Sequence, residues 1–164
     1  MKGFIAQLFI IALVVNLVSM VRETSMLSSW DKDTAPNFEL TGLGEEQTFI
    51  YQTPNSKEHK TVVYFFAPWC SICRISIQNL QSLYERDNNI SVVAVALDFV
   101  NKKEVSDFSN KLNLSLPILY GNEEVKQRYQ VSAYPSYYVV NYLGEIEHRS
   151  MGYSTELGLF LRSR

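Results

Sequence analysis

The stretch Thr61-Val62-Val63-Tyr64-Phe65-Phe66-Ala67-Pro68-Trp69-Cys70-Ser71-Ile72-Cys73 places two cysteines between an apolar run and a helical pattern. Residues 61–66 are β-branched or aromatic, which predicts a strand that is covered on both faces. Apolar residues then recur at helical spacing from Ile72 to Tyr84, until Asp87-Asn88-Asn89 ends the pattern. The cysteine pair therefore falls on a strand-to-helix turn.

Cys70 and Cys73 are the only cysteines in the chain, and their position favours redox chemistry. A disulfide between them closes a loop of four residues, for which the chain-entropy estimate is only about 1.9 kcal/mol. At a helix start, in contrast, unpaired N–H groups and the positive end of the helix dipole favour a thiolate on Cys70. Cys73 is one turn later on the same helix and can attack a mixed disulfide that Cys70 forms. We therefore expect Cys70 to be the nucleophile and Cys73 to be the resolving thiol.

A Cys-x-x-Cys pair can also form half of a zinc site, which needs two further ligands. The only histidines are His59 and His148. His59 precedes the predicted strand and lies about 20 Å from the cysteines, at the other end of that strand. His148 falls in a predicted strand, where we expect it to be exposed. No metal site is therefore predicted.

The rest of the pattern predicts an α/β fold. Residues 90–97 form a second apolar strand, and a strand, helix and strand of this length form a right-handed unit with parallel strands. The pattern also predicts helices at 102–112 and 123–129, a strand at 116–120, hairpin strands at 136–142 and 145–150 joined at Leu143-Gly144, and a final helix that Ser154 caps and that ends at Leu161. Ligand chemistry in such sheets collects beyond the carboxyl ends of the parallel strands, where Cys70 is predicted to lie.

The N-terminal residues 1–21 are almost wholly apolar. The 19 residues from Gly3 to Val21 would rise about 28 Å as a helix, close to the thickness of a bilayer core, and no A-x-A-like cleavage site follows them. This pattern predicts an uncleaved signal anchor, a transmembrane helix whose flanking Lys2 keeps the N-terminus cytoplasmic; a buried core helix is the alternative. Residues 22–35 are predicted to form a polar linker, and residues 36–164 one folded domain.

The overall composition is that of an ordinary globular domain with an apolar segment attached, because 46% of the residues are hydrophobic and the net charge is −2. The sequence has no basic stripe, internal repeat or low-complexity tract. Nothing therefore suggests that the chain binds nucleic acid.

Three features together resemble the thioredoxin superfamily. They are Trp69-Cys70-Ser71-Ile72-Cys73 on a strand-to-helix turn, Val131-Ser132-Ala133-Tyr134-Pro135-Ser136 before the hairpin, and Gly152 after it. Within that superfamily, the opening Ala35-Pro36-Asn37-Phe38-Glu39-Leu40, the extra helix and strand between Asp98 and Glu123, and the N-terminal anchor resemble the TlpA-like branch of ResA/DsbE type. The resemblance implies a thioredoxin-like fold with a central mixed sheet flanked by helices and with the inserted helix and strand of that branch.

The resemblance also implies roles for residues around the cysteines. Pro135 matches the cis-proline that packs against the dithiol, Tyr134 lines the substrate groove, and Trp69 covers the thiol pair. From the residues alone, Pro135 could equally be a trans proline at the start of a strand, and both aromatic side chains could be core or rim residues. Asp98, at the end of the second strand, is a candidate for proton transfer, with a turn or helix-capping aspartate as the alternative.

The sequence departs from the family pattern at three positions. Tyr64 stands where thioredoxins carry a buried aspartate, Ser76 stands where some TlpA-like reductases place a glutamate, and Ile72 replaces a frequent proline. Because the usual acid groups are missing, the reduction potential and the proton path are not predicted.

The resemblance implies a membrane-anchored thiol-disulfide oxidoreductase without a cofactor, whose substrates are protein disulfides or dithiols. We expect a single-pass protein of the bacterial inner (cytoplasmic) membrane, with its soluble domain in the periplasm or exterior. The favoured direction is reduction of protein disulfides, and because the periplasm is kept oxidising, a reductase there needs a membrane dithiol donor of the DsbD or CcdA kind. The TlpA-like branch includes proteins that serve cytochrome c maturation.

Three other functions are alternatives to this one. A disulfide-forming oxidase would use the same cysteines in the opposite direction. A non-enzymatic copper-handling protein of thioredoxin fold typically has a C-x-x-x-C pair and a distant histidine, and the spacing here is one residue too short. A peroxidase of the peroxiredoxin type would need a threonine three residues before its reactive cysteine, where this chain has Ala67.

Overall fold

The computed structural model describes residues 2–44, 48–52 and 59–164, and within the first helix the side chains of residues 2–6, 12, 15, 16, 19 and 20 are not described. The helices are α1 (Lys2–Glu23), α2 (Ser71–Arg86), α3 (Lys102–Leu112), α4 (Glu123–Arg128) and α5 (Glu156–Arg162). The strands are β1 (Phe38–Gly42), β2 (Thr48–Tyr51), β3 (Lys60–Phe66), β4 (Ile90–Ala96), β5 (Ile118–Tyr120), β6 (Ser136–Val140) and β7 (Ile146–Met151).

The described strands form one mixed sheet in the order β2-β1-β5-β4-β3-β6-β7. β3 lies near its centre and pairs parallel with β4 and antiparallel with β6. Residues 61–66 of β3 are all buried, which confirms the prediction of a strand covered on both faces. The parallel pairing of β3 with β4 around α2 confirms the predicted unit, and β4 ends one residue earlier than expected.

Each face of the sheet supports its own core. On one face, Tyr64 and Phe66 of β3 pack with Cys73 and Ile77 of α2. On the opposite face, Phe65 packs with other buried aromatic and aliphatic side chains, among them Met26, Tyr129 and Tyr138. One face of α2 is buried against the sheet and the other is exposed. The buried face places the first turn of α2 next to the end of β3.

The predicted elements after β4 are present, with changes at their ends. α3 has the expected bounds, whereas β6 stops at Val140, next to a register irregularity in its pairing with β7. The prediction that Ser154 caps the last helix is wrong. Thr155 is the N-cap, because its Oγ1 accepts a hydrogen bond from the Gly158 N–H at 3.0 Å.

The apolar N-terminal residues form α1, whose described apolar side chains are 46–74% exposed. Within the described part of the chain, no helix combines the length and the sustained apolarity that a membrane span requires.

The segment after α1 lies against the domain. Met26 is only 3% exposed and belongs to the second core. Arg149 of β7 donates hydrogen bonds from Nη1 to the carbonyl oxygens of Met26 and Leu27, at 2.7 and 2.8 Å. Further along, the Ala35 N–H donates to the Gly144 carbonyl at 2.8 Å. Residues 22–35, predicted to be a linker, therefore contact the folded domain at several points.

Candidate active site

Cys70 occupies the N-cap position of α2. Its backbone is extended, and its Sγ accepts a hydrogen bond from the Cys73 N–H at 3.2 Å. The preceding turn is closed by the Cys70 N–H, which donates to the Ala67 carbonyl at 3.0 Å. The sulfur therefore lies where the first unpaired N–H groups of the helix stabilise negative charge.

Cys70 and Cys73 are joined by a disulfide, and their Cα atoms are 5.2 Å apart. The two residues differ in access to solvent, because Cys70 is 7% exposed and Cys73 is fully buried. Cys70 is therefore the cysteine of the pair that a substrate arriving from solvent can reach.

The segment before β6 closes over Cys70. The peptide bond between Tyr134 and Pro135 is cis, and the Tyr134 carbonyl oxygen lies 3.7 Å from Cys70 Sγ. Pro135 is buried, and its carbonyl accepts a hydrogen bond from the Gly152 N–H at 2.7 Å. Gly152 has a φ of +100°, in the left-handed region that favours glycine. The two loops identified in the sequence thus meet next to the disulfide.

Two aromatic side chains flank the disulfide. Trp69 is 61% exposed, and its Nε1 donates a hydrogen bond to the backbone carbonyl of Asp98 at 2.9 Å. The Tyr134 ring meets the Trp69 ring edge-on, with centroids 5.9 Å apart and an interplanar angle of 82°. These two rings form the rim beside Cys70.

Asp98 lies directly behind this rim and has a left-handed backbone, with a φ of +49°. Its carboxylate accepts a hydrogen bond from the Tyr134 hydroxyl at 2.9 Å and pairs with Lys126 Nζ at 2.7 and 2.9 Å. Partial burial alone would raise the pKa of Asp98, but the hydrogen bonds from Lys126 and Tyr134 hold that pKa below its ordinary value. At neutral pH the carboxylate is therefore ionised and hydrogen-bonded to Lys126 and Tyr134. A role for Asp98 in proton transfer stays a prediction.

The buried positions behind the cysteines carry hydroxyl groups. Tyr64 and Ser76 are fully buried, and burial raises the pKa of the Tyr64 hydroxyl. Ser76 is close enough to influence that pKa, yet no described atom is in hydrogen-bond geometry with the Tyr64 hydroxyl. Ser76 Oγ accepts a long hydrogen bond from the Ser154 N–H at 3.5 Å.

The histidines lie away from the cysteines. His59 directly precedes β3, and His148 is an exposed residue of β7, as expected from the sequence. Among the described residues, no group of three or more His, Cys, Asp and Glu side chains is arranged to hold a metal ion.

Lys126 is the site residue that the sequence did not indicate. It lies in α4, 28 residues from its partner Asp98, and its pKa is raised chiefly by the hydrogen bond to that carboxylate. Because the pairing joins two distant segments, no local spacing could have predicted it.

Comparisons with known proteins agree with this geometry. The AhpC/TSA family matches residues 32–149. The thiol-disulfide oxidoreductase ResA of Oceanobacillus iheyensis is 29% identical over 155 residues, which cover 92% of this chain and 80% of that protein. The thioredoxin-like protein YneN of Bacillus subtilis is 30% identical over 125 residues, covering 74% of this chain and 72% of that one.

The fold is also similar to that of a solved structure. The crystal structure of StoA from Bacillus subtilis superimposes with a TM-score of 0.68 at 26% identity, covering 79% of this chain and 98% of that one. The fold and the cysteine pair define a thioredoxin-like thiol-disulfide oxidoreductase. The chain belongs to the AhpC/TSA family and, within it, to the TlpA-like branch of ResA/DsbE type.

Proposed function

We propose that this protein reduces disulfides of other proteins on the exported side of a bacterial cytoplasmic membrane, to which α1 anchors it. Cys70 is the attacking thiol, and Cys73 is the resolving thiol. The observation that carries this proposal is the difference between the two sulfurs, because Cys70 caps α2 and is 7% exposed whereas Cys73 is fully buried.

The reaction proceeds through two exchanges. The Cys70 thiolate attacks one sulfur of a substrate disulfide, a new S–S bond forms between them, and the other substrate sulfur leaves and takes up a proton. Cys73 then gives up its proton and attacks Cys70 Sγ, which releases the second substrate sulfur as a thiol. Two electrons and two protons pass to the substrate, and the Cys70–Cys73 disulfide is formed.

The rim beside Cys70 binds the substrate in this proposal. Trp69 and Tyr134 offer apolar ring faces to the residues next to the substrate disulfide, and the buried Pro135 follows Tyr134 in the same segment. The Tyr134 carbonyl lies 3.7 Å from Cys70 Sγ, which supports a substrate peptide that lies along residues 134–135.

A reductase of this kind must be reduced again after each cycle. Because the bacterial periplasm is kept oxidising, we propose a membrane dithiol donor of the DsbD or CcdA kind, and substrates that include the cysteines of cytochrome c precursors. The exposed apolar side chains of α1 support membrane anchoring. The relatives named ResA and StoA support the oxidoreductase activity.

Trapping of mixed disulfides tests the assignment of the two cysteines. The full chain carrying Cys73→Ser, expressed in a bacterial membrane, should accumulate mixed disulfides with other proteins, because the resolving thiol is missing. Cys70→Ser should accumulate none and should not reduce insulin. Complexes held through Cys73 in the Cys70→Ser protein would contradict the proposal.

Two further assays separate the other functions. Copper(I) bound stoichiometrically with no disulfide reduction would favour the copper-handling alternative, and turnover of hydrogen peroxide would favour a peroxidase. The oxidase direction uses the same cysteines and is distinguished by the relative stability of the oxidised and reduced forms.

A further inference from the structure

Asp98 is joined to both sides of the rim beside Cys70. Its backbone carbonyl accepts the hydrogen bond from Trp69 Nε1 at 2.9 Å, and its carboxylate accepts the one from the Tyr134 hydroxyl at 2.9 Å. Trp69 directly precedes Cys70, and Tyr134 directly precedes Pro135. One residue at the end of β4 therefore holds the two segments between which the reactive sulfur lies.

The backbone conformation of Asp98 suits this double contact. A φ of +49° lies in the left-handed region, which most side chains avoid but which aspartate, asparagine and glycine tolerate. An aspartate at this position can offer its carbonyl to one ring and its carboxylate to the other. Asparagine and glycine are consequently the substitutions that leave the backbone in place.

The charge of Asp98 is balanced within the same cluster. Lys126 Nζ lies 2.7 and 2.9 Å from the two carboxylate oxygens. An uncompensated carboxylate near Cys70 would oppose the thiolate, and an uncompensated ammonium group would favour it. The pair as a whole therefore leaves the field at Cys70 close to that of a neutral group.

We propose that Asp98 is a positioning residue that holds Trp69 and Tyr134 at a fixed separation beside Cys70, and that Lys126 neutralises its carboxylate so that the Cys70 thiolate is not opposed. The inference rests on the proposed function, in which Cys70 is the attacking thiol. It differs from proton transfer because Asp98 acts through its two hydrogen bonds and stays ionised.

The first test measures thiolate formation without any substrate. The full chain, reduced and in mild detergent, is alkylated with iodoacetamide across a range of pH, and the pH of half-maximal rate is recorded. Asp98→Asn leaves Lys126 unbalanced and should lower this midpoint, whereas Lys126→Met leaves Asp98 unbalanced and should raise it. Because the pair lies behind the rim beside Cys70 and is separated from the sulfur by that rim, each unbalanced unit charge should shift the midpoint by a few tenths of a unit up to about one unit, in opposite directions.

Several other charges lie near Cys70 and are the same in all these variants. Arg74 is in the first turn of α2, and Glu104, Asp107 and Lys111 of α3 line an open cavity of about 430 Å³ next to Trp69. The double variant Asp98→Asn/Lys126→Met should return the midpoint to within about 0.2 units of the parent, because both charges are removed together. Shifts in the same direction for both single variants, or no shift in either, would overturn the charge-balancing role.

The second test measures positioning. Asp98→Gly keeps the left-handed turn and the carbonyl that Trp69 contacts, but it removes the carboxylate. Tyr134→Phe removes only the hydroxyl on the other side of the same bond. At a pH well above the alkylation midpoint, where Cys70 is ionised in every variant, both should raise KM for a peptide disulfide several-fold with little change in kcat. Glu124→Gln, which alters an exposed ion pair with Arg128 on the same helix as Lys126, is the matched control and should change nothing.

The outcomes also distinguish this inference from the proposed function. An equal fall in kcat for Asp98→Gly and Tyr134→Phe with unchanged KM would overturn the positioning role. If trapping through Cys70 fails while the opposite alkylation shifts are observed, the proposed function is wrong and the role of the Asp98–Lys126 pair stands.

Discussion

Reduction of the Cys70–Cys73 disulfide should change the stability of the domain only slightly, and in a direction that favours the oxidised form. Closing a four-residue loop stabilises the oxidised protein by about 1.9 kcal/mol through the unfolded chain. In the reduced protein, the Cys70 thiolate at the N-cap of α2 recovers about 0.3–2 kcal/mol from the helix terminus. The oxidised form should therefore be more stable by about 0–1.6 kcal/mol.

This difference shifts the reduction potential of the cysteine pair, and the sign of the shift favours one direction of the reaction. A disulfide that is more stable in the folded than in the unfolded chain has a more negative reduction potential, by about 30 mV for each 1.4 kcal/mol. A difference of up to about 1.6 kcal/mol would lower the potential by about 35 mV relative to the unfolded chain. Such a protein gives up electrons readily, as a reductase must.

Urea unfolding of the full chain in mild detergent, with and without dithiothreitol, measures the difference directly. It should widen as the pH falls, because the thiolate contribution to the reduced form is lost when Cys70 is protonated. The double variant Cys70→Ser/Cys73→Ser has no disulfide and should be unaffected by dithiothreitol. A reduced form that is more stable by over about 1 kcal/mol would refute this reasoning and favour the oxidase direction.

Three further predictions concern single positions. Gly121→Ala should cost about 1–3 kcal/mol in urea unfolding, because its Cβ would lie 2.6 Å from Leu97 Cδ2 and 2.8 Å from the Ala96 carbonyl; unchanged stability would contradict this. Tyr64→Phe removes a buried hydroxyl that has no partner among the described atoms. The free energy of unfolding should stay the same or rise by about 1 kcal/mol. A clear loss of stability would mean that an internal water satisfies the hydroxyl. Because the folded-state pKa of Asp98 is lowered, its carboxylate adds stability above about pH 4 that is lost as the pH falls further. The Tm deficit of Asp98→Asn at neutral pH should therefore shrink progressively as the pH is lowered below about 4, and a deficit that does not change with pH would contradict the pairing.

The centre of the fold could be predicted because its signals are local. The apolar run that forms β3, the helical spacing of α2 and the position of Cys70 between them all lie within about one strand and one helix of sequence. Each pattern needs only its own neighbours to be recognised. The order of strand, helix and strand then gives the parallel pairing with β4.

The parts that were missed depend on contacts between distant segments. β1 and β2 are five and four residues long, and β1 is held in the sheet by pairing Thr41 and Gly42 with β5. The choice of Thr155 over Ser154 as a helix cap depends on backbone geometry that two adjacent hydroxyl residues do not reveal. The pairing of Lys126 with Asp98 similarly arises from the packing of α4 near the end of β4.

The hydrogen bond from Arg149 to the Met26 carbonyl limits how far the catalytic domain can move relative to α1. Only Thr24 and Ser25 separate the last residue of α1 from this anchored position, so the segment between them could span at most about 10 Å if it were fully extended. A fourteen-residue linker without such an anchor could extend about 50 Å. If α1 is embedded in a bilayer, the cysteines work at a nearly constant height above the lipid, and protein substrates must approach that level to be reduced.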